Sequence, residues 1–195
     1  MRFSIRGIVF AALFAALLSV LSLANVSLGF TPVPISLENL VVMLAGALLG
    51  PVYGCFSMLL VVVLTALGLP LLHGSGGAAL ILGPTGGFVW MYPVAALCIG
   101  LTASRARRMG VGSFLLTFAS FELFGSLLLY VTGVPWLGHV ARVPLAKALV
   151  LGCYPYLPGD AVKAFLAAWV VLPIRQIYPA RRLIHGERAQ VVPLD

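Results

Sequence analysis

Asp160 and Lys163 stand three residues apart in the stretch Tyr-Pro-Tyr-Leu-Pro-Gly-Asp-Ala-Val-Lys, residues 154–163, at the head of an apolar run, Ala164–Leu172. On a helix, side chains at i and i+3 share one face, so an acceptor and a donor are presented together. An ionised group inside a bilayer costs roughly 2.5–3.5 kcal/mol by insertion measurements, and it turns toward a cavity, a partner or a ligand. The competing account is a mutually neutralised structural pair near the membrane surface.

A second stretch, residues 68–87, holds seven glycines and two prolines and is apolar between them. A flexible linker would be polar; this one is expected to fold against its surroundings. Gly83-Pro84-Thr85-Gly86-Gly87 would let backbone N–H groups approach a small molecule, because no side chain stands in the way. A tight turn before the next helix is the plainer alternative. His73 reads as a loop residue rather than a ligand. A hydrolytic set of His73, Ser75 and Asp160 can be imagined, but no nucleophile elbow accompanies it, and no catalytic residue is assigned.

The elements that must position these groups follow from composition. The chain has 195 residues, 62% hydrophobic and 9% charged, with mean hydropathy +1.12. That excludes a soluble globular domain. At about 20 residues per crossing, the length suits an all-α membrane protein of six transmembrane helices. The spans are expected at about 7–28, 36–49, 52–67, 88–104, 112–131 and 160–174, forming one domain over 1–175, with a basic cytoplasmic tail over 176–195. The first apolar run also has the outline of a signal peptide, but its length favours a retained helix. No G-x-x-x-x-G-K-[ST] loop is present, so any energy source lies in another protein. Cys55, Cys98 and Cys153 are scattered in apolar surroundings, with neither metal-ligand spacing nor a disulfide framework.

Within the first span Ala11, Ala12, Ala15 and Ala16 give small-xxx-small spacing in two registers, a face that another helix can approach closely. Residues 29–36, with Pro32 and Pro34, cannot be helix interior. Glu38 and Asn39 open the second span, and Gly50-Pro51 makes a turn. Pro93 is expected to kink the fourth span. Glu122 sits near the centre of the fifth, with Lys163 a conceivable partner. Residues 132–143, containing Gly133-Val-Pro-Trp136, are expected as a loop, followed by a short surface helix over 144–154.

The formal net charge of +7 lies between and after the apolar runs, which points to a lipid bilayer and not to nucleic acid. Six spans put Arg2, Arg6, Arg105, Arg107, Arg108, Arg175, Arg181, Arg182 and Arg188 on one side, against Arg142 and Lys147 on the other. Positive charge marks the cytoplasmic side, so both termini are expected there, in the plasma membrane. The glycine-rich stretch, the proline-rich loop and the Asp160/Lys163 pair then gather at the outer face.

Phe30-Thr-Pro-Val-Pro-Ile-Ser-Leu through Leu44-Ala-Gly-Ala-Leu-Leu-Gly-Pro51, then Gly68-Leu-Pro, Gly83-Pro-Thr-Gly-Gly87, Gly133-Val-Pro-Trp136 and Pro158-Gly-Asp-Ala-Val-Lys163 resemble the BioY family. Its members are the biotin-specific substrate-binding components (S components) of energy-coupling factor (ECF) transporters. The resemblance spans about residues 8–172. It implies a six-helix S-component fold that captures biotin at the outer face, with no cofactor and no metal. It further implies a transmembrane coupling protein and two cytoplasmic ATPases as partners, docking partly on the alanine face of the first helix. The family site carries over to Gly83, Pro84, Thr85, Gly86, Gly87, Asp160 and Lys163. A stand-alone biotin carrier is the alternative. The chain departs from the family pattern at Glu38, where Gln is expected, at Val61, where Tyr is common, and at Glu122.

Overall fold

A computed structural model of the chain describes residues 4–25, 29, 30, 32, 33, 35–103 and 110–185. Arg2, Arg105, Arg107, Arg108, Arg188, Pro34 and the tail beyond 185 lie outside the described residues. The elements are α1 (Ile5–Ser22), α2 (Glu38–Ala66), α3 (Ala78–Ile81), α4 (Gly86–Val89), α5 (Tyr92–Ala103), α6 (Val111–Ser120), a π-helical segment (Phe121–Leu127), α7 (Leu128–Ala141), α8 (Leu145–Gly152), α9 (Leu157–Ile177) and α10 (Ala180–His185). Among the described residues, five stretches are long and apolar enough to cross a membrane: Ile5–Ser22, Glu38–Ala66, Gly86–Ala103, Val111–Ala141 and Leu157–Ile177.

The second of these is not one rod. Gly50 has φ 76° and ψ −177°, a conformation that side chains resist and glycine accepts. The arms on either side fold back on each other: a Cβ on Gly54 would lie 2.9 Å from Cα of Gly46. Gly100 of α5 meets the same turn, where a Cβ would come 2.4 Å from the Pro51 nitrogen. Small residues let helix backbones touch in this way inside membranes. The α2 arms and α5 make the most extensive packing in the molecule. Leu18, Val41, Val42, Met58, Val61, Ala95 and Ala96 are buried in the core around them; Val61 belongs to that core and not to the cavity described below.

Helix α1 starts at Ser4, whose hydroxyl accepts the Gly7 N–H at 3.0 Å, an N-cap. It lies on the second arm of α2, where Ser57 Oγ donates to the Ala11 carbonyl at 2.7 Å. The four alanines divide. Ala11 and Ala15 are buried in that contact; Ala12 and Ala16 are exposed, on a side with Ile8, Val9 and Val20. The helix ends at Ser22, earlier than the expected Leu28. There the Ser22 hydroxyl bonds the Ser19 and Leu71 carbonyls and takes the His73 N–H at 3.1 Å.

One expectation is corrected. Residues 132–141 are not a loop: α6, the π segment and α7 form a continuous helical stretch, Val111–Ala141, about 46 Å long at 1.5 Å per residue. Pro135 removes one N–H from this helix, and contacts of α7 with α4 hold the turn regardless. Trp136 Nε1 donates to the Gly83 carbonyl at 2.9 Å, Thr132 Oγ1 to the Gly87 carbonyl at 2.8 Å, and Gly133 lies on the Phe88 ring. Arg142, with φ 54°, ends the helix in the left-handed region.

Other boundaries move less. The fourth span is divided at Trp90–Met91 into α4 and α5, and Pro93 sits in the first turn of α5, where a missing N–H costs nothing. The sixth extends to Leu157–Ile177. The start of the tail is helical: α10 places Ile184 against Ala11, Leu49 and Tyr53, and the Ser4 hydroxyl donates to its carbonyl.

Candidate functional site

Two helices that carry acids begin at the same place. Helix α9 opens with Pro158 in its first turn and presents Asp160; α2 opens with Glu38 and Asn39. Proline is suited to a helix start, and a carboxylate in a first turn is favoured by the helix dipole. Both acids are buried, Glu38 at 2% and Asp160 at 5% exposure. Burial of an acid at that level requires hydrogen-bonding or ionic partners, and each has them.

Asp160 has three. Asn39 Nδ2 donates to Oδ1 at 2.8 Å, Lys163 Nζ donates to the same oxygen at 3.0 Å, and the Tyr130 hydroxyl donates to Oδ2. Lys163 also reaches Asn39 Oδ1 at 3.1 Å. The i,i+3 relation expected from the sequence is therefore realised as an ion pair, with Asn39 of α2 stitched into it. Lys163 is engaged here and not with Glu122. Tyr130 is held by an edge-on contact with Phe88, ring centroids 6.2 Å apart at 88°.

Glu38 has a matching set. The Tyr92 hydroxyl donates to Oε2, and His73 Nε2 lies 2.9 Å from Oε1. His73 comes from the turn after α2, which is closed by the Leu72–Ser75 backbone pair and occupies φ 53°. The Glu38 carboxylate holds the His73 imidazole above its ordinary 6.5, against the opposing effect of partial burial. His73 faces Glu38, and Asp160 faces Asn39, Tyr130 and Lys163, so the imagined hydrolytic set with Ser75 is not assembled.

Both sets line one cavity, of about 560 Å³ when the open space at its mouth is included. Val33 and Ser36 border it from the segment before α2, Thr85 and Phe88 from the α4 region, Ser126 and Leu129 from the π segment and α7, and Gly152 and Tyr156 from the approach to α9. The Tyr156 hydroxyl donates to the Val33 carbonyl, tying the segment before α2 to the start of α9. π-Helical turns recur at functional sites; this one carries Ser126 to the cavity and Glu122 one turn earlier. Val33 and Ser36 of the proline-rich segment, His73 and Thr85 of the glycine-rich stretch, and Asp160 with Lys163 thus border the same cavity.

Of the residues singled out from the sequence, Thr85, Asp160 and Lys163 line this cavity together. Gly83, Pro84, Gly86 and Gly87 stand behind Thr85. The backbone of this loop meets α7: the Gly83 and Gly87 carbonyls accept from Trp136 and Thr132, and a Cβ on Gly87 would lie 2.5 Å from that of Trp136. Glu38, Asn39, His73, Tyr92, Tyr130 and Tyr156 were not assigned to the site from sequence. Glu38-Asn39 carried a usable signal, a polar pair opening an apolar run as Asp160 does. The tyrosines carried none, since an aromatic on an apolar helix reads as core. The chemistry on offer is that of recognition: mostly apolar walls with two carboxylates, a lysine, an amide and phenol hydroxyls at fixed positions.

Known proteins bear on this arrangement. Residues 1–180 match the BioY family. The biotin transporter BioY of Rhizobium etli is 38% identical over 181 residues, covering 90% of this chain and 96% of its own. The probable biotin transporter BioY of Pyrococcus horikoshii is 41% identical over 157 residues, 80% of this chain and 88% of its own. The fold is similar to the crystal structure of the S-component for biotin from an ECF-type ABC transporter, with a TM-score of 0.78, 31% identity, and coverage of 89% of this chain and 95% of that one. These relatives are transporters, not enzymes, and the all-helical membrane fold is that of the S-component.

Proposed function

The chain belongs to the BioY family, and from that premise we propose that it captures biotin in the cavity around Asp160 and delivers it inward as the substrate-binding subunit of an ECF-type transporter. The observation that carries this reading is the Asp160–Lys163–Asn39–Tyr130 network, with Asp160 and Asn39 buried and Lys163 and Tyr130 half-buried, opening onto a mostly apolar cavity. Biotin is an apolar bicycle with a cyclic urea at one end and a carboxylate on a flexible chain. A carboxylate beside an ammonium 3.0 Å away suits the adjacent N–H and C=O of a cyclic urea, the acid accepting and the lysine donating. Micromolar affinity corresponds to about 8 kcal/mol and nanomolar to about 12. A hydrogen bond to a charged group contributes roughly 1.5–3 kcal/mol, so burial of the rings against Phe88, Leu129 and Val33 must supply much of the remainder.

The reading includes six crossings, the two arms of α2 counting as two, with both termini on the cytoplasmic side of the plasma membrane. It also includes docking of a transmembrane coupling protein, energised by two ATPases, on the exposed Ala12/Ala16 side of α1, where small residues and an apolar border admit another helix. Ligand identity is tested by mass spectrometry of the small molecule that copurifies and by titration of the purified protein with biotin. Biotin binding at micromolar affinity or tighter is the expected result; no binding sinks the reading. Uptake by cells expressing this chain alone, with partners absent, would favour the stand-alone carrier over the partnered subunit.

A further inference from the structure

Among the described residues, four groups in the cavity lining carry or can gain charge near neutral pH: Glu38, Asp160, Lys163 and His73. Lys163 cancels Asp160 through a direct contact. Glu38 is cancelled only when His73, at 2.9 Å, is protonated. The lining thus carries one net negative charge with His73 neutral and none with His73 charged. Other groups facing the pair do not alter this count. Tyr92 meets Glu38 from α5 as a hydroxyl donor, and the Ser22 hydroxyl of α1 accepts the His73 backbone N–H. Across the cavity Tyr130 is a donor to Asp160 and Tyr156 to Val33. Glu122 of the π segment is not among the residues that line the cavity.

We propose that Glu38 and His73 form a specificity-determining pair that sets the charge of the cavity, so that capture of an anionic ligand is accompanied by uptake of one proton onto His73. This rests on the reading of biotin as the ligand. A carboxylate entering a low-dielectric cavity is repelled by an uncompensated acid and tolerated by a neutral pair. The proton comes from solvent on binding and returns to it on release. The contact with Glu38 already raises His73, and a second anion raises it further. Affinity is therefore greatest below the free protein's His73 pKa and declines as pH rises to that of the complex.

The test is biotin binding to the purified full chain from pH 6 to pH 9, with biotin methyl ester, which lacks the charge, as a second probe. The biotin carboxyl is ionised throughout this range. Wild-type affinity for biotin is expected to fall roughly tenfold across it, and that for the ester by less than twofold. His73→Asn, a residue that tolerates φ > 0, leaves the acid uncompensated and should bind biotin weakly with a flat profile. Glu38→Gln removes the acid and should bind biotin more tightly than wild type at pH 9, with its pH dependence moved toward lower pH because His73 no longer faces a carboxylate. A flat wild-type profile, an equal slope for the ester, or a slope retained in His73→Asn overturns the coupling while leaving biotin as ligand. Failure of biotin to bind at any pH removes the ligand reading, and the coupling falls with it.

Discussion

Replacing Asp160 by Asn tests the centre of the site. The carboxylate accepts from Asn39 at 2.8 Å, from Lys163 at 3.0 Å and from Tyr130. The amide keeps the shape but removes the charge and turns one acceptor into a donor, aimed at Asn39 and Lys163 or at Tyr130, which are donors themselves. Removing one partner of a buried ion pair costs about 3–5 kcal/mol, so the variant should melt at a clearly lower temperature. If Asp160 also meets the ligand, a further charged hydrogen bond of roughly 1.5–3 kcal/mol is lost on binding. At 1.4 kcal/mol per factor of ten, biotin affinity should fall between about tenfold and a hundredfold. Asp160→Asn combined with Lys163→Met separates the two roles, because it removes the orphaned charge. Thermal stability should recover in the double variant, and biotin affinity, measured by calorimetry, should not. Recovery of affinity together with stability would mean that the pair is structural, and the proposed role of Asp160 would be wrong.

Other outcomes follow from the same geometry. Gly133→Val would drive a side chain into the Phe88 ring, 2.2 Å from its nearest atom, and overpacking of this kind costs about 1–3 kcal/mol; a lowered melting temperature with weakened biotin binding is expected, since Phe88 lines the cavity. Ala12→Trp and Ala16→Trp, on the exposed side of α1, should leave biotin affinity of the purified chain within about twofold while abolishing energised uptake in cells; Ala11→Trp, fully buried, should instead prevent folding. The His73–Glu38 contact also contributes to stability. With a folded pKa above 6.5, its contribution is fully present below the unfolded value and is lost as pH rises through the folded one. The ligand-free wild type should therefore melt lower at pH 9 than at pH 6, and Glu38→Gln should lack that difference.

Much of the bundle was legible because its signals are local. Apolar runs of bilayer length, Gly50-Pro51 as a reversal, and Pro158 as a helix start depend on neighbours in the chain. The expectation failed where a local breaker was overruled from a distance. Pro135 and Gly133 read as a loop, yet α7 continues through them. Close approach to α4, with Trp136 bonded to Gly83 and Thr132 to Gly87, stabilises the helix against the single lost N–H. No window of sequence contains both partners, which are 53 and 45 residues apart.

The same division holds at the site. Asp160 and Lys163 could be paired from sequence because three residues on a helix fix their relation, and scarce charge in an apolar chain marks them as needing a cavity. That Glu38 is compensated by His73, and that Asn39 joins the Asp160 pair, could not be read in advance. Those contacts span 35 and 121 residues; the first exists because α2 reverses at Gly50 and brings the turn after it back to its own start, the second because α2 and α9 start side by side. Sequence thus determined which residues are costly to bury and where the helices begin and turn. Packing of the helices decided which costly groups meet, because burial demands a partner but does not name it.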